Sequence, residues 1–266
     1  MTRFLITFGG SAYEATTAIT VRDAAKFGVD QVLVYDDVFL KAHPFYELNR
    51  WLFELPGVRG LCWFAWKPLV ILDALQNQGT AKGDVVCYLD GDCYPIADLS
   101  PLYERCAQDG GQMLFAAQGC SNRQWVKADC WVTMAAEGYL PPNRHPVLPD
   151  SQHAVARFML FQKGHWHVQQ FLMEWLSYCL NPLATTFGPS VICNGKELKG
   201  FEQHRTEQAI LSLLAHKYGY HLYREACQFG NAELAAHGTD DWYQQLFLQV
   251  GASGRDDGKG SRFRNV

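Results

Sequence analysis

Along the chain, short uninterrupted apolar runs alternate with longer stretches in which apolar residues recur every three or four positions. That alternation predicts strands interleaved with helices. Arg3 to Phe8 is an apolar strand ended by Gly9-Gly10. From Glu14 to Phe27, Ala18, Val21 and Ala25 keep helical spacing, and Gly28 supplies a stop. Gln31 to Tyr35 reads as a second strand, followed by Asp36-Asp37. Strand, glycine turn, helix and strand make a βαβ unit, whose crossover should be right-handed. Its turn lacks a full G-x-G-x-x-G, so a dinucleotide site is a poor fit.

An aromatic segment comes next, with one short helix expected from Pro44 to Phe53 and another from Pro68 to about Gln76. Pro68 suits a first helical position, where an N–H would have no partner anyway. Val85 to Leu89 carry no charge and run into Asp90-Gly91-Asp92. This predicts a strand buried on both faces, which Pro95 keeps from continuing. Further on, Ser100-Pro101 opens a helix, Gln112 to Ala117 is a strand, Gln124 to Ala136 is mixed and Pro141 to Pro146 is a loop. Ala154 to Phe161 reads as one long strand. Val168, Phe171, Leu172, Trp175, Leu176 and Cys179 mark one face of a helix, and that face reads as core. The segment from Asn181 to Gly200 is polar and irregular, in the manner of a flexible loop that meets a ligand. His204 to Tyr218 is a last helix, with Glu207, Leu211, Leu214 and Tyr218 on one stripe. Residues 251–266 are composed like a flexible tail.

Composition narrows the class. In 266 residues, 48% are hydrophobic and 14% aromatic, enough for a large buried core and against disorder. A net charge of -4 offers no surplus for a nucleic-acid backbone. No run of about 18 apolar residues occurs, so no transmembrane span is expected. The first residues are interrupted too early by Gly9-Gly10 to form a signal peptide. Nine cysteines are scattered singly, without a C-x-x-C pair, which suits reduced thiols in a cytoplasmic protein and argues against a zinc site.

The chemistry gathers at Asp90-Gly91-Asp92. Two carboxylates on a turn at the carboxyl end of a central strand sit where open α/β sheets bind ligands. They can converge on one hard divalent cation, which takes oxygen ligands. Lys67 stands at a helix start, where orphan N–H groups and an ammonium together favour an anion such as a pyrophosphate. The plainer alternative is a lysine lying over Trp63 and Trp66. Glu207, in the first turn of its helix on the apolar side, is either held by the helix dipole or aimed into a site. An Asp-x-Asp at a strand end also occurs in phosphatases with an aspartyl nucleophile, here Asp90 with Asp92 as acid. That class usually has Thr or Val where this chain has Tyr94, and carries the motif on its first strand. A further alternative is a non-catalytic sugar- or nucleotide-binding protein in which both aspartates merely bond the turn backbone.

Four pieces in order carry a family resemblance: Ile6-Thr7-Phe8-Gly9, Trp66-Lys67-Pro68, Tyr88-Leu89-Asp90-Gly91-Asp92-Cys93 and His204-Arg205-Thr206-Glu207-Gln208. Together they resemble nucleotide-sugar-dependent glycosyltransferases of the GT-A type, and more narrowly bacterial and viral enzymes of surface-polysaccharide synthesis. Relatives often carry Asp-Gln where this chain has Glu207-Gln208. The resemblance implies a GT-A-like α/β domain over residues 1–250, with a Rossmann-like nucleotide-binding half around a mixed, mostly parallel sheet. Residues 1–95 would bind the nucleotide-sugar and residues 96–250 the acceptor. It further implies Mn2+ or Mg2+ held by Asp90 and Asp92, with a late histidine, His237 ahead of His221, as third ligand. Thr7, Phe8, Gly9, Arg22, Lys67 and Asp90 would contact a UDP- or GDP-linked sugar. Trp66, His204, Arg205 and Gln208 would face a saccharide or glycan acceptor. Glu207 or Asp129 would serve as catalytic carboxylate: a base if the anomeric configuration inverts, or, for Glu207, a positioning or charge-stabilising group if it is retained. The resemblance also allows peripheral association with the inner face of a membrane.

Overall fold

The computed structural model describes residues 1–10, 13–55, 60–136, 148–231 and 243–250. The expected loop from Pro141 to Pro146, His237 and the expected tail from residue 251 lie outside them.

The first strand, β1 (Arg3–Phe8), leads into α1 (Glu14–Asp23) and a short 3-10 turn that ends at Gly28 in the left-handed region, at φ 78°. β2 (Gln31–Tyr35) returns parallel to β1. Three short helices follow, α2 (Asp37–Ala42), α3 (Pro44–Leu48) and α4 (Arg50–Phe53), so the single helix expected from Pro44 breaks at Asn49. A turn, α5 (Gly60–Trp63), precedes α6 (Trp66–Gln76). Next come β3 (Val85–Leu89), β4 (Cys93–Pro95), α7 (Ser100–Gln108) and β5 (Gln112–Ser121). The mixed stretch resolves into α8 (Asn122–Trp125) and α9 (Ala128–Ala136). β6 (Gln152–Ala154), β7 (Phe158–Gln162), α10 (Trp166–Cys179), α11 (Pro182–Thr185) and α12 (Thr206–Lys217) follow. β8 (Leu222–Tyr223), α13 (Gln228–Asn231) and β9 (Phe247–Gln249) complete the described chain.

The main sheet runs β2-β1-β3-β7-β5-β6, with β8 also paired to β5; β4 and β9 form a separate antiparallel pair. β1 lies parallel to both β2 and β3, while β7 is antiparallel to β3 and β5. All five residues of β3 are buried. Alternation along the strand sends Val86 and Tyr88 into a core that includes residues of α6, α10 and α12. Val85, Cys87 and Leu89 enter a second core, on the α7 side. A sheet covered on both faces results, with the carboxyl ends of β1 and β3 side by side at one edge.

Two elements depart from the apolar pattern, each for a physical reason. α1 buries Thr16, Thr17 and Thr20 and leaves Ala18 and Val21 exposed, as the 3-10 turn after it leaves Ala25. Its inner face meets backbone: the Thr20 hydroxyl faces the Cys93 carbonyl at 3.4 Å, and a Cβ at Gly9 would stand 2.8 Å from Thr17 Oγ1. The run from Ala154 to Phe161 is not one strand. From Ala154 to Leu160 the chain advances six residues while its partner covers three, from Ala116 to Met113. Val155 still pairs, its N–H donating to the Phe115 carbonyl at 2.8 Å, and the chain bulges at Ala156–Arg157; bulges re-aim backbone and side chains next to sites. On α10, Tyr178 joins the buried stripe and Leu176 is only partly covered.

Candidate active site

The Asp-Gly-Asp turn forms because β3 ends against another backbone. A Cβ on Gly91 would lie 2.6 Å from the Phe8 carbonyl oxygen and 3.0 Å from Tyr13 Cβ, so only glycine lets the turn sit on the end of β1. The Cys93 N–H donates to the Asp90 carbonyl at 2.9 Å and closes the turn. On the other side, the Asp90 N–H donates to the carbonyl of Arg157, in the bulge, at 2.7 Å.

Around this turn the described residues include Asp90, Asp92, Glu207 and Glu225 with Lys67 and Arg157. The Lys67 ammonium reaches Asp90 Oδ1 at 2.9 Å and Glu207 Oε1 at 3.0 Å, and donates to the Ala156 carbonyl at 3.1 Å. Three acceptors satisfy the three ammonium protons. Burial by itself pushes the lysine down, but Asp90 and Glu207 outweigh it and hold the ammonium above the ordinary lysine range. The Tyr88 hydroxyl donates to Asp90 Oδ1 at 2.7 Å. Arg157, also buried, pairs with Glu225 at 2.6 Å and sets its positive charge near Asp92. Burial raises the Asp92 carboxyl above the usual range and repulsion from Asp90 adds to it, against the opposing pull of Gln249 and Arg157. Glu207 is raised by burial too, although Lys67 and the Thr206 hydroxyl oppose the shift.

Backbone strain supports Glu207. Thr206 holds φ at 44°, in the left-handed region that a β-branched residue avoids, at a cost of about 1–3 kcal/mol. In that turn its hydroxyl donates to Glu207 Oε2 at 2.5 Å, while Trp175 Nε1 donates to the Glu207 carbonyl at 2.9 Å. Both carboxylate oxygens of Glu207 are therefore engaged.

Asp90 and Glu207 share the Lys67 ammonium, Glu225 pairs with Arg157, and Asp92 lies beside Asp90. Two neighbouring, partly buried carboxylates suit a hard divalent cation, and Asp90 and Asp92 could hold it. Among the described residues, no group of three His, Cys, Asp or Glu side chains is placed to hold a metal.

The other expected residues fall in several places. Thr7 and Phe8 end β1, the Gly9 N–H donates to the Tyr35 carbonyl at 2.8 Å, and Phe8 stacks on Trp66 with ring centroids 3.9 Å apart. Trp63 and Trp66 are both core. Arg22 sits on the exposed side of α1, its guanidinium on Asp23. The Asp129 carboxylate accepts three backbone N–H groups, from Val191 at 2.5 Å, Ile192 at 3.3 Å and Cys193 at 3.0 Å. It thereby ties down the segment that reads in sequence as a flexible loop. His204 is buried, accepting from the Lys127 N–H and meeting the Ala184 carbonyl at 2.7 Å, and burial lowers it to about 3. Arg205 lies 4.5 Å over the Trp125 ring, and Gln208 donates to the Ala154 carbonyl at 2.9 Å. His221 packs edge-on against Tyr223.

Arg157, Glu225 and Gln249 were not singled out in the sequence, and Tyr88 entered only as part of the strand before Asp90. Arg157 had a signal, a charge in an otherwise apolar run from Ala154 to Phe161. Glu225 and Gln249 lie in short segments with no periodicity to single them out.

In sequence, no protein-family model and no curated protein matches the chain. In three dimensions it is similar to the bifunctional glycosyltransferase WbbM, with a TM-score of 0.51 and 9% identity over 93% of this chain and 45% of that one. Mouse xyloside xylosyltransferase 1 gives a TM-score of 0.46 at 10% identity, over 96% of this chain and 99% of that one. The galactosyltransferase LgtC, solved with donor and acceptor sugar analogs, gives 0.48 at 13% identity, over 93% and 86%. Identities this low speak for fold alone, and of the three only the WbbM likeness is strong enough to carry it. The chain has the α/β fold, with a mixed sheet, of the GT-A glycosyltransferases.

Proposed function

We propose that the protein transfers a sugar from a nucleoside-diphosphate sugar to a hydroxyl of a saccharide acceptor, with Mn2+ or Mg2+ held at Asp90 and Asp92. The observation that carries this reading is the pair of neighbouring carboxylates, Asp90 and Asp92, on the turn at the carboxyl ends of β1 and β3. It lies on the fold whose known members include transferases, at the edge where open α/β sheets bind ligands. A divalent ion there would neutralise charge that grows on the departing diphosphate. Thr7, Phe8 and Gly9 border the same edge, beside Tyr13, and would receive the nucleoside.

Lys67 is enclosed by Asp90, Glu207 and the Ala156 carbonyl, so its charge orients Asp90 more than it meets a phosphate. Glu207 acts in this account as a positioning carboxylate: with both oxygens engaged, it keeps Lys67 against Asp90. A base for the acceptor must stand within hydrogen-bond reach of its hydroxyl. Asp129 holds the 191–193 backbone with its carboxylate and so acts in fixing that segment. No helix among the described residues is long and apolar enough to cross a membrane. All nine cysteines are free thiols, which supports a reducing, cytoplasmic setting.

Thermal shift with a panel of nucleoside diphosphates, with and without Mn2+, tests the reading. A ligand at about 100 times its Kd adds about 2.7 kcal/mol. Stabilisation by one base family, UDP or GDP, only when Mn2+ is present is the expected outcome. Indifference to every nucleotide in the presence of metal would contradict it.

A further inference from the structure

Gln249 is held at the backbone from both directions. Its N–H donates to Gln228 Oε1 at 3.0 Å, and its carbonyl accepts from Gln228 Nε2 at 2.7 Å. β9 pairs with β4, which begins at Cys93, so Gln249 faces Cys93 across the ladder and the Val250 N–H donates to the Asp92 carbonyl at 2.8 Å. From this fixed base the side chain reaches Asp92, where Nε2 donates to Oδ2 at 2.9 Å. The other amide atom, Oε1, is buried and has no hydrogen-bond partner among the described residues. A buried acceptor left unsatisfied has given up its water without a replacement, and such a group in a native fold asks for an explanation.

The explanation lies in what surrounds it. Asp90 and Asp92 repel each other, and no third carboxylate, histidine or thiol among the described residues joins them in a metal-binding group. An amide oxygen is a hard ligand of the kind Mn2+ and Mg2+ accept, and rotation about the Cγ–Cδ bond lets Gln249 present either amide atom. We propose that Gln249 is the third protein ligand of the divalent ion read at Asp90 and Asp92, its Oε1 completing a set of oxygen donors; this rests on the metal reading above. Two consequences follow from the chemistry. Three oxygen donors favour hard ions over the softer ones that an imidazole would welcome. Because Gln249 stands on β9, the ion also fastens this late strand to the Asp-Gly-Asp turn.

Binding of Mn2+ alone, followed through the free-ion EPR signal, tests the assignment on the full chain and on Gln249→Leu, Gln249→Glu and Asp92→Asn. Gln249→Leu should weaken Mn2+ at least about tenfold, the loss typical even of residues that only orient a ligand. Gln249→Glu should bind at least as tightly as the wild type. Its melting temperature should also rise more on adding Mn2+, since the ion relieves a third carboxylate. Wild-type affinity in Gln249→Leu, together with a deficit in Asp92→Asn, overturns Gln249 as ligand and leaves the aspartate site standing. No saturable Mn2+ binding by the wild type overturns both. Should Gln249→Leu not fold, the Gln249→Glu melt decides: a gain equal to or below the wild type's overturns the proposal.

Discussion

Removing the Lys67 ammonium would leave Asp90 and Glu207 facing each other without a cation. Glu207 is buried and Asp90 about a quarter open to solvent, with side-chain exposures of 5% and 24%. Lys67→Met should therefore destabilise the fold near the low end of what a broken buried pair costs, about 3 kcal/mol, in urea denaturation. The histidines give a second prediction. His153 and His204 are each lowered to about 3, chiefly by burial. A folded value below the unfolded one means that the unfolded chain takes up the proton first. Their contribution is whole above about pH 6.5 and is lost as pH falls toward 3. At about pH 5 the loss is on the order of 2 kcal/mol per histidine. Urea melts at pH 7 and pH 5 should show it, and His204→Gln should flatten the slope. Asp90 and Asp92 stood out in the sequence as charges ending an apolar run, and Lys67 and Glu207 as charges at helix starts. His204 was legible as polar but not as buried, since its partners, Lys127 and Ala184, are far away in sequence.

Elements with one clean period were readable, and elements that pack against backbone were not. β3 and α10 follow their apolar patterns because they meet side chains. α1 meets the glycine turn and Cys93 instead, so its buried face is threonine. The bulge at Ala156–Arg157 has no local marker beyond the charge of Arg157; only the register with β5 makes it visible. Two predictions belong here. Gly91→Ala drives a methyl against the Phe8 carbonyl, which cannot yield without moving β1. It should cost about 1–3 kcal/mol and weaken nucleoside diphosphate binding together with the melting temperature. Asp129→Ala orphans the N–H groups of Val191, Ile192 and Cys193. Hydrogen exchange should speed up across 190–197 while residues of β3 keep their protection.

For the whole molecule, the order of strand, aromatic lysine segment, acidic turn and late carboxylate in the sequence anticipated what the sheet brings together. Lys67, Asp90 and Glu207 lie within one network although 140 residues separate the first from the last. Arg157, Glu225 and Gln249 enter the same network from segments that carry no recognisable motif. The pairing of these charges therefore becomes evident only in three dimensions: the sequence displays the carboxylates, and the fold reveals that Lys67 serves two of them and Arg157 a third. The most direct test of metal-assisted sugar transfer is release of the nucleoside diphosphate from a nucleotide-sugar in the presence of Mn2+, by wild type and by Asp92→Ala. Turnover by the wild type that requires Mn2+ and falls at least about a hundredfold in Asp92→Ala is the predicted result, a loss of roughly 2.7 kcal/mol in transition-state stabilisation. Equal turnover by the two proteins, or wild-type turnover indifferent to chelator, would contradict it.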